Sequence, residues 1–220
     1  MMSSYIITTK FQGYLQLDSK VPTIFQIQDF IESAWDVGIN RQGRLETGGI
    51  KGTRKYIGTP EALAMFRLLN IPCDAQGFKN RELGKSEALL MEYVETYFQS
   101  GVEDPTPRIR LTNLPPLYFQ HAGKSPTGQL DHSGSDGVQG HSMTIIGFER
   151  QTNGAKNLIV FDPMFRDASN IVKLIGRKFE YTFADLALRS YRRGSHYLRK
   201  YREFEVLRLV REVFSYSCCN

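Results

Sequence analysis

Between Gln139 and Pro163 the chain carries two strand-like apolar runs around one turn signal, a pattern that a β-hairpin satisfies and few other structures do. The first run, Gly140-His141-Ser142-Met143-Thr144-Ile145-Ile146-Gly147-Phe148-Glu149, opens on a histidine. The second, Asn157-Leu158-Ile159-Val160-Phe161-Asp162-Pro163, closes on an aspartate, and Thr152-Asn153-Gly154 lies between them. A hairpin returns the free ends of its strands to one edge of the sheet, where cross-strand side chains stand about 4.5–5.5 Å apart. His141 and Asp162 are thereby placed as a base and its orienter. A strict two-residue Asn153-Gly154 turn sets Asp162 opposite Ile145, so direct opposition to His141 requires a longer or bulged loop, or neighbouring strands. The register stays open at this level. So does a plainer reading, in which His141 is a satisfied strand-end histidine and Asp162-Pro163 only a turn.

With 220 residues, 41% of them hydrophobic, the chain can bury a sizeable core, and it reads as one domain over 1–220. The formal net charge of +5 comes largely from the C-terminal third, where Arg189, Arg192, Arg193, Arg199, Lys200 and Arg202 crowd together. A basic helical face of this kind meets nucleic acid, an acidic partner or only solvent. Cys73, Cys218 and Cys219 cannot all pair within the molecule, and Met1-Met2-Ser3-Ser4 lacks the plan of a signal peptide. No apolar run approaches the roughly 18 residues of a membrane span. The expected setting is reducing, cytoplasmic or nuclear, with no membrane. Three scattered cysteines have no metal-ligand spacing, and neither metal nor cofactor is expected.

Taken in order, Ser4 to Leu17 has roughly helical spacing with nothing ahead of it as a cap, as in a helix entered partway along. Thr23 caps a clearer helix with Ile24, Ile27, Ile31, Ala34 and Trp35 on one face and Gly38 at its end. Asn40 to Gly58 reads as a surface loop. Its Gly52-Thr53-Arg54-Lys55-Tyr56-Ile57-Gly58 lacks the Lys-Ser or Lys-Thr pair of a phosphate-cradling loop. Thr59 and Pro60 start a helix through Leu69. A strand is expected over 71–78, then a helix from Ser86 to Gln99 with Leu89, Leu90, Tyr93, Val94, Tyr97 and Phe98 inward and Gly101 as its stop. Further strands fall at 116–121, 141–149, 156–162 and 204–210. Residues 123–140 are too polar to order themselves and form a flexible insertion, and 212–220 a loose tail. Asp167 to Gly176 and a segment opening at Thr182 and carrying the arginines read as helices. Helices first and strands later make the class α+β.

A base and orienter at one sheet edge call for a nucleophile, and a thiol is the natural partner of an imidazole. Cys73, after Ile71-Pro72 in a strand, reads as a small core residue, and Cys218 and Cys219 lie in a tail too mobile to aim a thiol. Trp35-Asp36 with Gly38, Gly52 to Gly58, Leu68-Leu69-Asn70-Ile71-Pro72-Cys73, Pro115 to His121, Gly140-His141-Ser142 and Phe161-Asp162-Pro163 resemble, in that order, a family of papain-like proteases. It comprises the proteases specific for the ubiquitin-fold modifier and their zinc-finger deubiquitinase relatives, and the resemblance runs from about Met2 to Val210.

That resemblance implies a papain-like fold, truncated at its N-terminus. In the family a Gly-Cys-Gly-Tyr-Arg-Asn segment supplies the nucleophilic cysteine, and this chain begins on residues similar to those just after it. One branch of the family takes its histidine from an Asp-Pro-His motif, and Met164 stands at that place here. The match is therefore to the deubiquitinase branch, with His141 as base and Asp162 as orienter. Lys124 to Gln139 intervene where relatives run almost directly on, so His121 competes with His141 in alignment; His141, directly ahead of the β-branched strand, is preferred. The implied function is a thiol isopeptidase domain acting on ubiquitin or a ubiquitin-like modifier, inactive without its cysteine segment. The alternative is a non-catalytic module that binds the modifier. A weaker third reading makes Arg189 to Arg202, with Tyr191, Tyr197 and Tyr201, a nucleic-acid surface.

Overall fold

A computed structural model describes residues 1–11, 14–17, 20–122, 140–167, 169–173 and 184–210. The expected insertion at 123–140, apart from Gly140, and the expected tail at 212–220 with Cys218 and Cys219 lie outside the described residues, as does the helix start at Thr182. The chain divides into two compact units, one formed by 1–76 with 206–220 and the other by 77–205.

In the first unit, α1 (Met2–Thr8) is followed by a 3₁₀ turn at Tyr14–Leu17, so Ser4 to Leu17 is not one helix. Thr9 Oγ1 donates to the carbonyl of Tyr5, and Lys10 takes a left-handed conformation that ends the helix. The next helix, α2 (Ile24–Asp36), carries the expected cap: Thr23 Oγ1 accepts from Gln26 N–H, and the Gln26 side chain accepts from Thr23 N–H. Its buried face is Gln28, Ile31, Ala34 and Trp35, whereas Ile24 stands exposed at the helix entrance. Residues 40–58 are not all loop, because α3 (Arg41–Thr47) forms there. Gly43 in its middle hides the helical signal, but a side chain would not fit: a Cβ would lie 2.8 Å from Asn40 Nδ2 and 2.9 Å from Glu61 Oε1. The loop after α3 is strapped to α2, with Glu32 accepting from Ile50 N–H at 2.6 Å and Gln28 from Gly52 N–H at 2.9 Å. In α4 (Thr59–Leu68) the cap is Gly58, whose N–H donates to Glu61 at 2.8 Å.

The sheet has six strands in the order β1-β6-β2-β3-β4-β5: β1 (Cys73–Lys79), β2 (Leu117–His121), β3 (His141–Arg150), β4 (Lys156–Phe161), β5 (Arg192–Gly194) and β6 (Glu203–Leu209). The fold is α+β. From β2 to β5 each pairing is antiparallel. The five strands expected from sequence are all present, and β5 is an addition. In the second unit α5 (Lys85–Ser100) packs on β3 and β4. It buries Leu90, Met91, Val94 and Phe98, while Leu89 turns to solvent. Phe119, Met143, Ile145, Leu158 and Val160 fill the core beneath. Glu95 of α5 binds Arg150 and, at 2.7 Å, Lys156, fastening the turn end of the β3–β4 hairpin.

The segment after the hairpin departs most from expectation. It contains α6 (Ser169–Val172), α7 (Ala184–Leu188), a 3₁₀ turn at Arg189–Tyr191, β5 and α8 (Ser195–Leu198). The helix expected to carry the arginines is thus interrupted by a strand at Arg192–Gly194. Gly194 fits there because a Cβ would stand 2.5 Å from Asn157 Oδ1.

Candidate active site

Two one-residue offsets set the geometry of the hairpin. Arg150 pairs with Lys156, and Gln151 N–H donates to the Ala155 carbonyl at 2.8 Å, so the loop is Thr152-Asn153-Gly154. Gly154 is left-handed (φ 82), as a three-residue hairpin loop requires. That loop alone would carry Asp162 opposite Thr144, on the sheet face away from His141. Within β3, however, Gly147 pairs with Ile159 and Ile145 with Val160, leaving Ile146 as a bulge. Past the bulge Thr144 faces Phe161, so Asp162 continues opposite Met143. Met143 lies two residues from His141, and residues two apart share a face. The pair is diagonal, and its side chains meet: His141 Nε2 lies 2.8 Å from Asp162 Oδ1.

Both side chains are shielded, with 22% of His141 and 11% of Asp162 exposed. The carboxylate is held from three directions. Oδ1 also accepts from Met164 N–H at 3.0 Å, and Oδ2 accepts from Arg193 Nη2 at 2.8 Å. Burial by itself would raise the pKa of the Asp162 carboxyl. The bonds from Arg193, from Met164 N–H and from His141 outweigh it and hold the carboxyl below its ordinary 3.8. An ionised Asp162 can only accept, so Nε2 of His141 carries a proton and Nδ1 is the nitrogen that can exchange one. Pro163 follows in a turn closed by Phe165 N–H to the Asp162 carbonyl at 3.0 Å, which fixes the aspartate's own backbone.

His121, the competing histidine, sits at the end of β2 directly opposite His141, with ring centroids 5.7 Å apart. It is 3% exposed and fully engaged. Nδ1 donates to the Ala122 carbonyl at 3.1 Å, which leaves Nε2 to accept from the Tyr197 hydroxyl at 3.0 Å. Its ring stacks on Tyr201 at 3.7 Å. Burial, the largest influence, lowers the basicity of this ring below that of an ordinary histidine. Burial likewise pushes the Tyr197 hydroxyl up to about 12.

Arg193 was not singled out from sequence as a site residue, since it reads there as one of several arginines on a basic face. Arg192 and Arg193 are not on such a face. Arg192 forks onto Glu149 at 2.6 and 2.7 Å, and Arg193 holds Asp162; each side chain is only 14% exposed. Two of the charges behind the nucleic-acid reading are thus neutralised within the protein. The available signal is indirect: an Arg-Arg-Gly run in a chain whose expected strands at 141–149 and 156–162 end in Glu149 and Asp162.

Cys73 lies in β1, half-buried, with Sγ 3.9 Å from the Leu63 carbonyl. Burial pushes its thiol up to about 11, which keeps it protonated. Among the described residues no group of His, Cys, Asp and Glu is assembled to hold a metal ion, and no helix is long and apolar enough to cross a membrane.

An imidazole with one nitrogen fixed by an ionised carboxylate and the other left to exchange a proton is the base-and-orienter arrangement of triad hydrolases. The chain belongs to Peptidase family C78, whose profile matches residues 1–207. It is similar to zinc finger-containing ubiquitin peptidase 1 of Mus musculus, 31% identical over 166 residues, which cover 74% of this chain and 26% of that protein. The proteins of the same name from Bos taurus and Homo sapiens are 33% and 31% identical over 146 residues, covering 65% of this chain and 22% of theirs. The chain thus spans about a quarter of the length of these relatives. Among solved structures, "Crystal structure of UfSP from C.elegans" aligns with a TM-score of 0.37 and 13% identity over 85% of this chain and 29% of that one.

Proposed function

We propose that this chain provides the base and orienter of a thiol-dependent isopeptidase that releases ubiquitin or a ubiquitin-like modifier from conjugates. The observation that carries the reading is the 2.8 Å bond between His141 Nε2 and Asp162 Oδ1, shielded at the paired ends of β3 and β4, in a chain of a peptidase family. Asp162 fixes the imidazole tautomer, and Nδ1 of His141 takes the thiol proton. The thiolate attacks the carbonyl of the modifier's last residue. The resulting imidazolium then protonates the leaving amine. That leaves a thioester, which water hydrolyses, freeing the modifier's carboxylate and restoring the thiol.

The thiol is the remaining part. Cys73 is held protonated and does not suit the role. The family resemblance assigns the nucleophile to a Gly-Cys-Gly-Tyr-Arg-Asn segment, which residues 1–220 do not contain. The 220-residue chain alone is therefore expected to be inert, because loss of a triad nucleophile costs orders of magnitude in rate. The test compares it with a fusion carrying that segment ahead of Met1, using an electrophilic ubiquitin probe. Labelling of the fusion only, abolished by His141→Ala, is the expected result. A folded fusion that binds ubiquitin but is never labelled would replace the peptidase reading with that of a binding module. Labelling of the short chain at Cys73, found by peptide mapping, would reassign the nucleophile.

A further inference from the structure

We infer that Arg193 is the positioning residue of the His141–Asp162 pair: its guanidinium holds the carboxylate in the one orientation that keeps Nε2 of His141 protonated and Nδ1 open to accept a proton. This rests on the reading of His141 as the base.

Asp162 follows the last residue of β4, past the last paired residue of that strand, so its side chain is set by the donors that reach its two oxygens. Two donors, His141 Nε2 and Met164 N–H, share Oδ1 at 2.8 and 3.0 Å. A carboxylate held at one oxygen alone can still pivot about it and swing the other oxygen away. The Arg193 bond to Oδ2 at 2.8 Å removes that freedom. Arg193 is itself immobilised. Nη1 donates to the carbonyls of Ser190 at 2.8 Å and Arg192 at 3.0 Å, and the guanidinium lies 5.1 Å over the Tyr197 ring. Its backbone is fixed in turn by the pairing of Arg193 with Leu158 of β4, on the strand face to which Asp162 also belongs.

The chain keeps this charge at a cost. Nε of Arg193 is buried without a hydrogen-bond partner, a penalty that an apolar residue of similar size would not carry. A planar fork that meets two carbonyls through one nitrogen and a carboxylate through the other is what arginine supplies and lysine does not.

Among the described residues, the groups around His141 leave Asp162 and Arg193 as the charged pair governing its tautomer. His121 on β2 is engaged by Ala122 and Tyr197, Tyr197 on α8 is an alcohol at neutral pH, and Tyr201 is stacked on His121.

The test needs no catalysis. In the 220-residue chain the Asp162 carboxyl is titrated by carbon NMR, and the ring nitrogens of His141 are read by nitrogen NMR at pH 8. Wild type is expected to show a low Asp162 midpoint and the Nε2–H pattern. In Arg193→Gln the midpoint rises by about one pH unit and the ring signals move toward a mixture of tautomers. In Arg193→Lys the midpoint stays low, because the charge is kept, yet the tautomers still mix, because the fork is lost. If Arg193→Gln melts earlier but leaves both signals at wild-type values, Arg193 is a structural residue only and the inference falls. Where Arg193→Gln does not fold, Arg193→Lys decides, and a ring spectrum identical to wild type overturns the inference. A failed labelling experiment on the fusion protein would refute the peptidase reading and leave these outcomes unaffected.

Discussion

Replacing Asp162 by Asn preserves the side chain's shape and removes the charge on which three donors converge. In the folded chain the carboxylate accepts from His141 at 2.8 Å, Met164 at 3.0 Å and Arg193 at 2.8 Å. A carboxamide has a single acceptor oxygen. With that oxygen toward His141 and Met164, its NH₂ faces the guanidinium donor to donor. With the amide reversed, the NH₂ opposes two other donors. The first arrangement forfeits one charge-assisted bond, worth about 1.5–3 kcal/mol, and leaves Arg193 without its counter-ion. Breaking a buried ion pair costs about 3–5 kcal/mol, and Arg193 retains two carbonyls and an aromatic face, so the low end applies: about 3 kcal/mol at pH 7. The loss has a defined pH dependence. The folded-state pKa of Asp162 lies below its ordinary 3.8, so its stabilisation is complete above about pH 5 and disappears as the pH falls through the folded value. Urea unfolding of both proteins, followed by far-ultraviolet circular dichroism at pH 7, 5 and 2.5, measures the difference. The expected deficit is about 3 kcal/mol at pH 7 and 5, and it is clearly smaller at pH 2.5. A deficit under about 0.5 kcal/mol at pH 7, or one that persists unchanged in acid, would refute the reasoning.

Three further outcomes are expected. Glu95→Gln should cost about 1–2 kcal/mol, less than for a buried pair because the Arg150 side chain is 59% exposed and can rehydrate. Burial opposes ionisation of Glu95, but Lys156 and Arg150 hold it below its ordinary 4.5, so the cost seen at pH 7 should vanish in acid in the same unfolding assay. Gly43→Ala should destabilise by about 1–3 kcal/mol in thermal melts despite alanine's better helix propensity, since the added methyl would press on Asn40, Glu61 and, at 3.1 Å, Trp35 Nε1. Alkylation of Cys73 at pH 8, followed by peptide mapping, should run at least about 100-fold slower than that of an unstructured cysteine, because a thiol pushed up to about 11 is scarcely ionised there.

What could be read from the sequence tracks whether the signal lies in the segment itself. The Thr23 cap, the stop at Gly38 and the five longer strands carry their own punctuation, and all of them form. α3 escaped notice because its central Gly43 argues against a helix locally, while the reason for that glycine sits on α2 and α4. Strand β5 is three residues of Arg-Arg-Gly with no strand propensity; its pairing with Asn157, Leu158 and Ile159 makes it a strand. For the same reason the sequence grouped Arg193 with a solvated basic face. Leu89 and Ile24 fell on the wrong side because helical periodicity locates a stripe to within a residue or so, and the packing partner selects its centre. His141 and Asp162 were legible as neighbours, whereas the way they meet was not: it depends on a loop conformation and a bulge, each of which moves the register by one.

Those offsets also govern where the hairpin can change length. An insertion or deletion within 142–145 or 156–161 would carry every residue beyond it to the other side of the sheet, parting the pair or exposing Met143 and Ile145. Thr152-Asn153-Gly154 is different, because the bond from Gln151 to Ala155 closes the ladder beneath it and residues added above that bond need not be counted by either strand. The tip lies six strand residues from Asp162, about 20 Å along β4. A fluorophore-bearing peptide or a small tag grafted at Asn153 should therefore report on the hairpin without touching the chemistry at its far end.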